Sequence, residues 1–286
     1  MHHSAKRCEI NYRISRLSDV EKSQRIGIMW IVKLWRIARD FWQMPRVTID
    51  LMSAATADND PFFERIVVQH YREARQRKVR RLFLRKMVHG VALSHLPPTF
   101  EEYFMRIEAS ARRNQKKAVR EGCEFRKIVF NDHLSEIALV RASIDMRQGR
   151  LMPEEYRKGL VRPTTDPLSR SPIHDYVYFG VFLKGKMIGY CGCLIAGEYC
   201  GIEQVLGHAE YLPLGVVPFM FIGIAKHLID HHTQVKYYAY GMYFGASETL
   251  RRFKKKFDFH PHEVTWILGD AASLAQPAGQ GKAGVL

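Results

Sequence analysis

The sequence predicts an α/β fold in which a mixed central sheet is flanked by helices. The main evidence lies in residues 176–268, where strand-like and helix-like segments follow one another in the order β-β-β-α-β-α-β. The chain has 286 residues, 47% of them hydrophobic, which is normal for a protein that buries a core. We expect residues 97–270 to form this domain and residues 1–96 to form an N-terminal helical extension packed on it.

Two apolar, β-rich runs at residues 176–183 and 187–195 predict a hairpin. Lys184-Gly185-Lys186 lies between them and predicts a tight turn, because glycine adopts positive φ without steric cost. A third strand is expected at residues 201–206. It contains Glu203, a charged residue in an otherwise apolar strand.

The rest of this region alternates helices and strands. Pro218 opens an apolar helix that ends near His232, and a strand follows at residues 235–240. A basic helix at residues 247–257 and a strand at 263–268 complete the domain. The tail, residues 271–286, has almost no bulky side chains and is expected to be disordered.

The segments before the hairpin carry clear helix boundaries. Asp60 is expected to cap a helix that Pro61 opens, and Thr99 with Glu102 forms a capping box. The helix after this box is expected to be continuous from residue 100 to about 120. A strand at 124–129 and a helix at 133–144 then follow.

The segment at residues 26–44 predicts a helix with one narrow polar stripe and three tryptophans, Trp30, Trp35 and Trp42. It would pack on the core or on a partner subunit, or lie at an anionic membrane surface, where tryptophan is common. The formal net charge of +15 favours polyanions such as nucleic acid, anionic lipid, the phosphates of CoA or an acidic carrier protein. Charge alone does not choose among them.

The location and redox state are inferred from what the sequence lacks. Residues 1–25 are polar, and no apolar run reaches the ~20 residues of a membrane span, so we expect a cytoplasmic protein or one peripheral to the inner face of a membrane. The five cysteines form no second pair at metal-ligand spacing, so reduced thiols and no metal site are expected. Cys191 and Cys193 should share one face of their strand.

The basic helix ends with Leu250-Arg251-Arg252-Phe253-Lys254-Lys255-Lys256-Phe257. This segment resembles the Leu-x-x-Phe-Lys-x-x-Phe signature of the Fem-type transferases, and the order of elements resembles the GNAT acyltransferase core. The resemblance covers residues 97–268. Two positions depart from it: Asp258 stands where glycine is usual, and residues 208–215 contain no glycine-rich pyrophosphate loop.

The resemblance implies a GNAT-like N-acyltransferase. Such an enzyme moves an acyl or aminoacyl group onto an amine by direct attack. The donor would be acetyl-CoA or another acyl-CoA, an acyl carrier protein or an aminoacyl-tRNA. The alternative is a non-catalytic protein, built on a decayed transferase fold, that binds membrane or nucleic acid.

Acyl transfer to an amine needs a base, a stabilised oxyanion and a proton for the leaving group. Glu203 and His208 are the candidate bases, since GNAT enzymes commonly carry the base in this region. Tyr243, like Tyr240, lies near the end of a predicted strand, where a tyrosine could protonate the leaving group or bind substrate.

Three cations are candidates for binding the donor. Arg147 and Arg150 flank a glycine in a long loop, and the planar fork of arginine suits phosphate or an oxyanion. Lys254 lies beside Phe253 on the basic helix, so its stem could cross apolar surface and place the ammonium at the mouth of the cleft. The resemblance points to the same lysine.

Overall fold

The computed structural model of the protein describes Arg39 and residues 43–51, 60–76, 87–147 and 149–269. Most of the predicted helix at 26–44, and the whole of the tail at 271–286, lie outside the described residues. The described residues from Pro45 onwards belong to one compact unit. Within the described ranges, no helix is long and apolar enough to cross a membrane.

The elements are numbered here in chain order. The strands are β1 (Arg46–Asp50), β2 (His89–His95), β3 (Cys123–Ile128), β4 (Met146–Arg147), β5 (Arg150–Leu151), β6 (His174–Leu183), β7 (Lys186–Ala196), β8 (Tyr199–Gly207), β9 (Tyr237–Met242) and β10 (His260–Ile267). The α-helices are α1 (Val68–Arg75), α2 (Phe100–Arg106), α3 (Ala109–Arg120), α4 (Leu134–Ala142), α5 (Glu154–Arg157), α6 (Val216–His231) and α7 (Glu248–Lys256). A π-helical turn, Phe63–Val67, precedes α1, and a 3₁₀ turn, Ala209–Leu214, precedes α6.

Eight strands form one sheet in the order β1-β10-β2-β9-β8-β7-β6-β3, and β4 pairs with β5 apart from it. The pairs β1–β10 and β8–β9 are parallel, whereas the other pairs in the sheet are antiparallel. The predicted mixed sheet flanked by helices is therefore confirmed. The β6–β7 hairpin turns at Lys184 and Gly185, whose φ values of 50° and 78° match a type I′ turn.

The sheet also recruits strands from the region predicted to be a helical extension. β2 lies between β10 and β9 near the middle of the sheet, and β1 pairs with β10 at its edge. Both strands precede residue 97, where the sequence analysis began the domain. The boundary is corrected accordingly: backbone hydrogen bonds tie residues on both sides of it into one sheet.

Helices cover both faces of the sheet. One face packs against α2, α3, α6 and α7 and contains buried cysteines, among them Cys191 and Cys193, which share a face as predicted. The opposite face is covered by α1 near β1, β10 and β2, and by α4 near β6 and β7. On this opposite face a recess lies between α1 and the sheet.

The helix predicted as continuous from residue 100 to about 120 is broken. Thr99 caps α2 by accepting a hydrogen bond from the Glu102 N–H (3.3 Å), but Ile107 and Glu108 are extended and separate α2 from α3. Arg112 Nη1 binds the carbonyl oxygens that this break exposes, at 3.2 Å from Phe104, 3.0 Å from Met105 and 2.5 Å from Ile107. One guanidinium thus replaces the helical hydrogen bonds that α2 gives up at its C-terminus.

We expect Arg112→Gln to lower the free energy of unfolding by about 2 kcal/mol, because several carbonyls lose a charged donor. Arg113→Gln is the matched control: Arg113 is the exposed neighbour on the same helix, and the change should cost less than about 0.5 kcal/mol. Urea unfolding of the two variants measures both values. Equal losses would contradict the capping role of Arg112.

Candidate active site

The central feature of the sheet is a divergence between β8 and β9. The two parallel strands pair through three residues each, ending at Gly201 and Ala239. Beyond this point β8 continues to Gly207 and β9 continues to Met242 without pairing with each other. The interior of the sheet therefore opens into a gap, and backbone groups along it need partners other than the neighbouring strand.

Two of the sequence-predicted cations bind backbone carbonyls beside this gap. Lys254 Nζ donates to the carbonyl oxygens of Tyr240 and Met242, the latter at 3.0 Å, both in β9 beyond its last pair with β8. Arg147 Nη1 donates to the carbonyl oxygen of Val205 in β8 at 2.6 Å. Each of the two diverging strands is thus bound by one cation from another element, β9 by Lys254 and β8 by Arg147.

Lys254 is buried rather than placed at the mouth of a cleft. Its side chain is 2% exposed, because it leaves α7 beside Phe253 and Phe257, which pack on the core. Burial lowers the pKa of Lys254 to about 8. In the described part of the chain, no carboxylate lies within ion-pair distance of its ammonium, and the Tyr240 ring centroid is 4.7 Å away.

The two candidate tyrosines differ in position. Tyr240 is half-buried, packs edge-on against Phe221 with ring centroids 4.8 Å apart, and lies close enough to Arg147 for that charge to affect it. Burial raises the pKa of Tyr240, and the charge of Arg147 partly opposes this shift. Tyr243 is 5% exposed and packs in the core against Phe244. Tyr240 thus joins the two cations, while Tyr243 belongs to the hydrophobic core.

Glu203 lies two residues beyond the last β8–β9 pair, on the sheet face opposite α6. Its carboxylate accepts a hydrogen bond from the Tyr176 hydroxyl at 2.9 Å and lines a cavity of about 410 Å³ between α1 and the sheet. Its side chain reaches solvent through this recess, yet loss of water around the carboxylate raises the pKa of Glu203. The nearby charges of Glu73 and Asp166 act in the same direction, while the Tyr176 hydrogen bond opposes them.

Gly192 makes room for this arrangement. On β7 it is paired with Tyr178 on one side and Gln204 on the other. A Cβ at residue 192 would lie 2.9 Å from a ring carbon of Tyr178 and 3.2 Å from the Tyr176 hydroxyl oxygen. The two tyrosines therefore cross over β7, and Tyr176 reaches Glu203, because glycine leaves their path free.

His208 lies just after the end of β8, and Arg150 lies in β5 beside Arg147. His208 follows β8; its ring lies against Tyr211 with centroids 5.2 Å apart, and its Nδ1 is buried without a hydrogen-bond partner among the described residues. Arg150 is exposed and pairs with Arg147 in the β4–β5 ladder. The predicted loop around the two arginines is thus a small hairpin.

The sequence analysis did not single out several residues that form the recess. Tyr176 and Tyr178 line it with Gln204 and Asp166, and Arg141 lines an adjoining cavity. Alternate tyrosines in a strand were a usable signal, because residues two apart share a face. Asp166 and Arg141 gave no comparable signal, since both lie on segments whose position over the sheet depends on tertiary contacts.

The start of α6 does not provide a cradle for a pyrophosphate. Gly215 adopts φ 84°, and a Cβ there would lie 2.8 Å from the Asn114 carbonyl oxygen on α3. Lys117 Nζ binds the Pro213 carbonyl oxygen at 2.9 Å, and Gly215 and Val216 are buried. The N–H groups at this helix start are therefore covered by α3. The residues present do not fit the mode of CoA binding that uses a glycine-rich loop.

No family model matches the chain, and no curated protein does. Solved structures do resemble it. One is the C-terminal domain, DUF2156, of a protein described as a lysylphosphatidylglycerol synthetase from Agrobacterium fabrum, with a TM-score of 0.40 at 16% identity over 62% of this chain and 58% of that chain.

Two further structures give similar values. FemX has a TM-score of 0.47 at 12% identity over 60% of this chain and 59% of its own. A tandem GNAT protein from the clavulanic acid biosynthesis pathway has a TM-score of 0.37 at 10% identity, over 61% and 51%. In each case less than two thirds of the other chain is spanned. The chain thus resembles GNAT-like folds, including a Fem-type structure, in fold alone.

Proposed function

We propose that the protein is an N-acyltransferase in which an activated acyl group enters the gap between β8 and β9. The divergence of these strands is the observation that carries the proposal, because it leaves an opening in the sheet with a cation bound to a backbone carbonyl on each side. Glu203 lies on β8 at this opening and faces the recess under α1. An amine bound in the recess would meet the acyl group at the gap.

The proposed step is direct attack of the amine nitrogen on the acyl carbonyl carbon. The C–N bond forms, the C–S bond of a thioester or the C–O bond of an ester breaks, and the amine proton passes to Glu203. A raised pKa suits Glu203 to this role, since a base works best near the operating pH. N–H groups of β8 that face the gap are the available donors for the oxyanion.

Other residues beside the gap are proposed to protonate the leaving group and to bind the charged part of the donor. Tyr240 retains its proton at neutral pH and is the proposed donor to the departing thiolate or alkoxide. Arg147 and the exposed Arg150 are proposed to bind phosphate groups of the donor, and Lys254 to stabilise the open conformation of β9. The donor is an acyl thioester of CoA or of a carrier protein, or an aminoacyl-tRNA.

One observation favours the non-catalytic alternative. The start of α6 is covered by α3 and offers no pyrophosphate site, as expected for a fold that no longer binds an acyl donor. Mass spectrometry separates the two functions. The protein is incubated with acetyl-CoA, an acyl carrier protein thioester or an aminoacyl-tRNA, together with a mixture of amines. N-acylated product with at least one donor supports the transferase, and none with any donor supports the alternative.

We expect Lys254→Met to lower kcat/KM at least tenfold, about 1.4 kcal/mol of transition-state stabilisation, because the strand carbonyls lose their charged donor. Lys255→Met removes an exposed charge one residue away and is the control, with a small effect confined to low salt. Thermal unfolding of both variants shows whether the fold is retained. Equal losses of activity would mean that only the overall positive field matters.

The pH dependence tests Glu203. Because burial raises the pKa of Glu203 above the ordinary glutamate value, the base becomes protonated and kcat/KM falls as the pH decreases through this raised pKa. Glu203→Gln should remove this acidic limb and lower kcat at least about 100-fold. Glu210→Gln, at an exposed position a few residues later, should keep both the limb and the rate. An unchanged acidic limb in Glu203→Gln would assign the base elsewhere.

A further inference from the structure

A buried arginine lies on the same face of the sheet as Glu203. Arg141, in the last turn of α4, is 9% exposed; its Nε donates to the Tyr190 hydroxyl at 2.8 Å and its Nη1 to the Leu160 carbonyl oxygen at 3.1 Å. Its guanidinium carbon stands 4.4 Å from the Tyr156 ring centroid. Among the described residues, no carboxylate lies within ion-pair distance of it. A buried charge with only neutral partners is costly unless an anion joins it.

Arg141 lines a cavity of about 230 Å³ that contains a second guanidinium. Arg162 lies on its wall, exposed and without an ion-pair partner in the described ranges. Glu155 on the exposed helix α5 also lines the cavity, but no ion pair joins it to either arginine. Two guanidinium groups beside one small cavity suit a carboxylate, which arginine can bind through paired N–H donors.

The loop that carries Arg162 is held on both sides of this residue, before it by the bond from Arg141 to the Leu160 carbonyl oxygen and after it by contacts at Thr164 and Ser169. Asn131 binds the backbone of Thr164 twice, through Nδ2 to the carbonyl oxygen at 3.1 Å and through Oδ1 from the N–H at 2.9 Å. Ser169 Oγ donates to Asp60 Oδ2 at 3.2 Å, which ties the loop to the segment before α1. The second cation is therefore carried on an anchored wall of the cavity.

This cationic cavity adjoins the acidic recess of Glu203, because Tyr178 and Gln204 line both. Three carboxylates, Glu73, Asp166 and Glu203, line the recess together with one guanidinium, that of Arg65. A group of carboxylates is unexpected in a chain whose formal net charge is +15. Gln204 Oε1 is buried at the junction and has no hydrogen-bond partner within the described residues. The junction thus offers an acceptor to a donor group that the protein itself does not supply.

Tyrosine side chains separate the two charged ends. Tyr190 accepts from Arg141 at one end, and Tyr176 donates to Glu203 at the other. Between them the rings of Tyr176 and Tyr178 lie with centroids 5.0 Å apart. A ligand that reaches both ends must cross about the width of this aromatic pair.

We propose that the two cavities together bind the acceptor as a zwitterion, an amino acid whose carboxylate lies against Arg141 and Arg162 and whose amine lies at Glu203. The assignment rests on the proposed function in one respect, that the reacting amine is placed at Glu203. It specifies the acceptor as a free amino carboxylate with several bonds between its charged groups. A simple amine would leave the two arginines without an anion.

Binding measured without any acyl donor tests this assignment. Isothermal titration of the full chain compares 6-aminohexanoate with hexanoate, hexylamine, glycine and inorganic phosphate. We expect 6-aminohexanoate to bind at least tenfold more tightly than each of the others. Phosphate or hexanoate binding as tightly would overturn the zwitterion in favour of a plain anion site, and equal binding of hexylamine would show that the arginines make no contact with the ligand.

The matched variants are Arg162→Gln and Arg120→Gln, both at exposed arginines, the second on α3 at the opposite face. Arg162→Gln should lower the affinity for 6-aminohexanoate at least tenfold and leave the affinity for hexylamine unchanged. Arg120→Gln should change neither affinity. Arg141→Lys should also lower the affinity for 6-aminohexanoate, and a thermal unfolding measurement shows that this variant keeps its fold. Unaltered 6-aminohexanoate affinity in Arg162→Gln overturns the site.

The outcome separates this site from the proposed function. Zwitterion binding that depends on Arg162 in a protein that transfers no acyl group would leave the site standing and refute the transferase. If the protein transfers acyl groups to amines and Arg162→Gln leaves the KM for the amine unchanged, the transferase stands and the zwitterion site is refuted.

Discussion

The site depends on the separation of β8 from β9. A sheet interior normally satisfies its backbone groups through the neighbouring strand, and a gap there leaves groups that need other donors. Lys254 and Arg147 supply charged donors to carbonyls on the two sides, so the opening is part of the folded structure. The burial of Lys254 follows from this role, because its ammonium must reach the sheet from α7. Under the proposed function, this opening admits the acyl donor to the centre of the sheet.

The two faces of the sheet carry different chemistry around this opening. On the α6 face, Tyr240 packs against Phe221, and the Lys254 ammonium lies 4.7 Å from the Tyr240 ring centroid. On the other face, Glu203 and its tyrosine neighbours line an acidic recess within a strongly basic protein. Under the proposed function, donor and acceptor approach the gap from opposite faces of the sheet, each guided by charge of the opposite sign.

Much of the fold was predictable because its signals are local. The β6–β7 hairpin follows from alternating apolar runs and from Lys184-Gly185, and the caps at Asp60 and Thr99 follow from short motifs. The central strand β2 was missed because its partners, β9 and β10, lie more than a hundred residues away in sequence. The break between α2 and α3 was missed because it depends on what the Arg112 side chain contacts.

The site was predictable only in part. Glu203 was predictable as a site residue because it is a charged residue in an apolar strand. Lys254 was predictable from the family resemblance and from its position beside Phe253. Burial of Lys254 was not predicted, since a lysine in a run of three usually lies at the surface. The contact between Tyr176 and Glu203 crosses β7 through Gly192, so it depends on the register of three strands. That register is fixed by the folded sheet and not by any local motif.

The acyl donor is proposed to enter the protein between β8 and β9. Amide hydrogen exchange tests this proposal most directly, with acetyl-CoA, an acyl carrier protein thioester and an aminoacyl-tRNA added one at a time. A productive donor should slow exchange at residues 203–207 of β8 and 240–242 of β9, while the start of α6 at residues 215–217 stays unchanged. Protection confined to the start of α6, with both strands unaffected, would contradict the account.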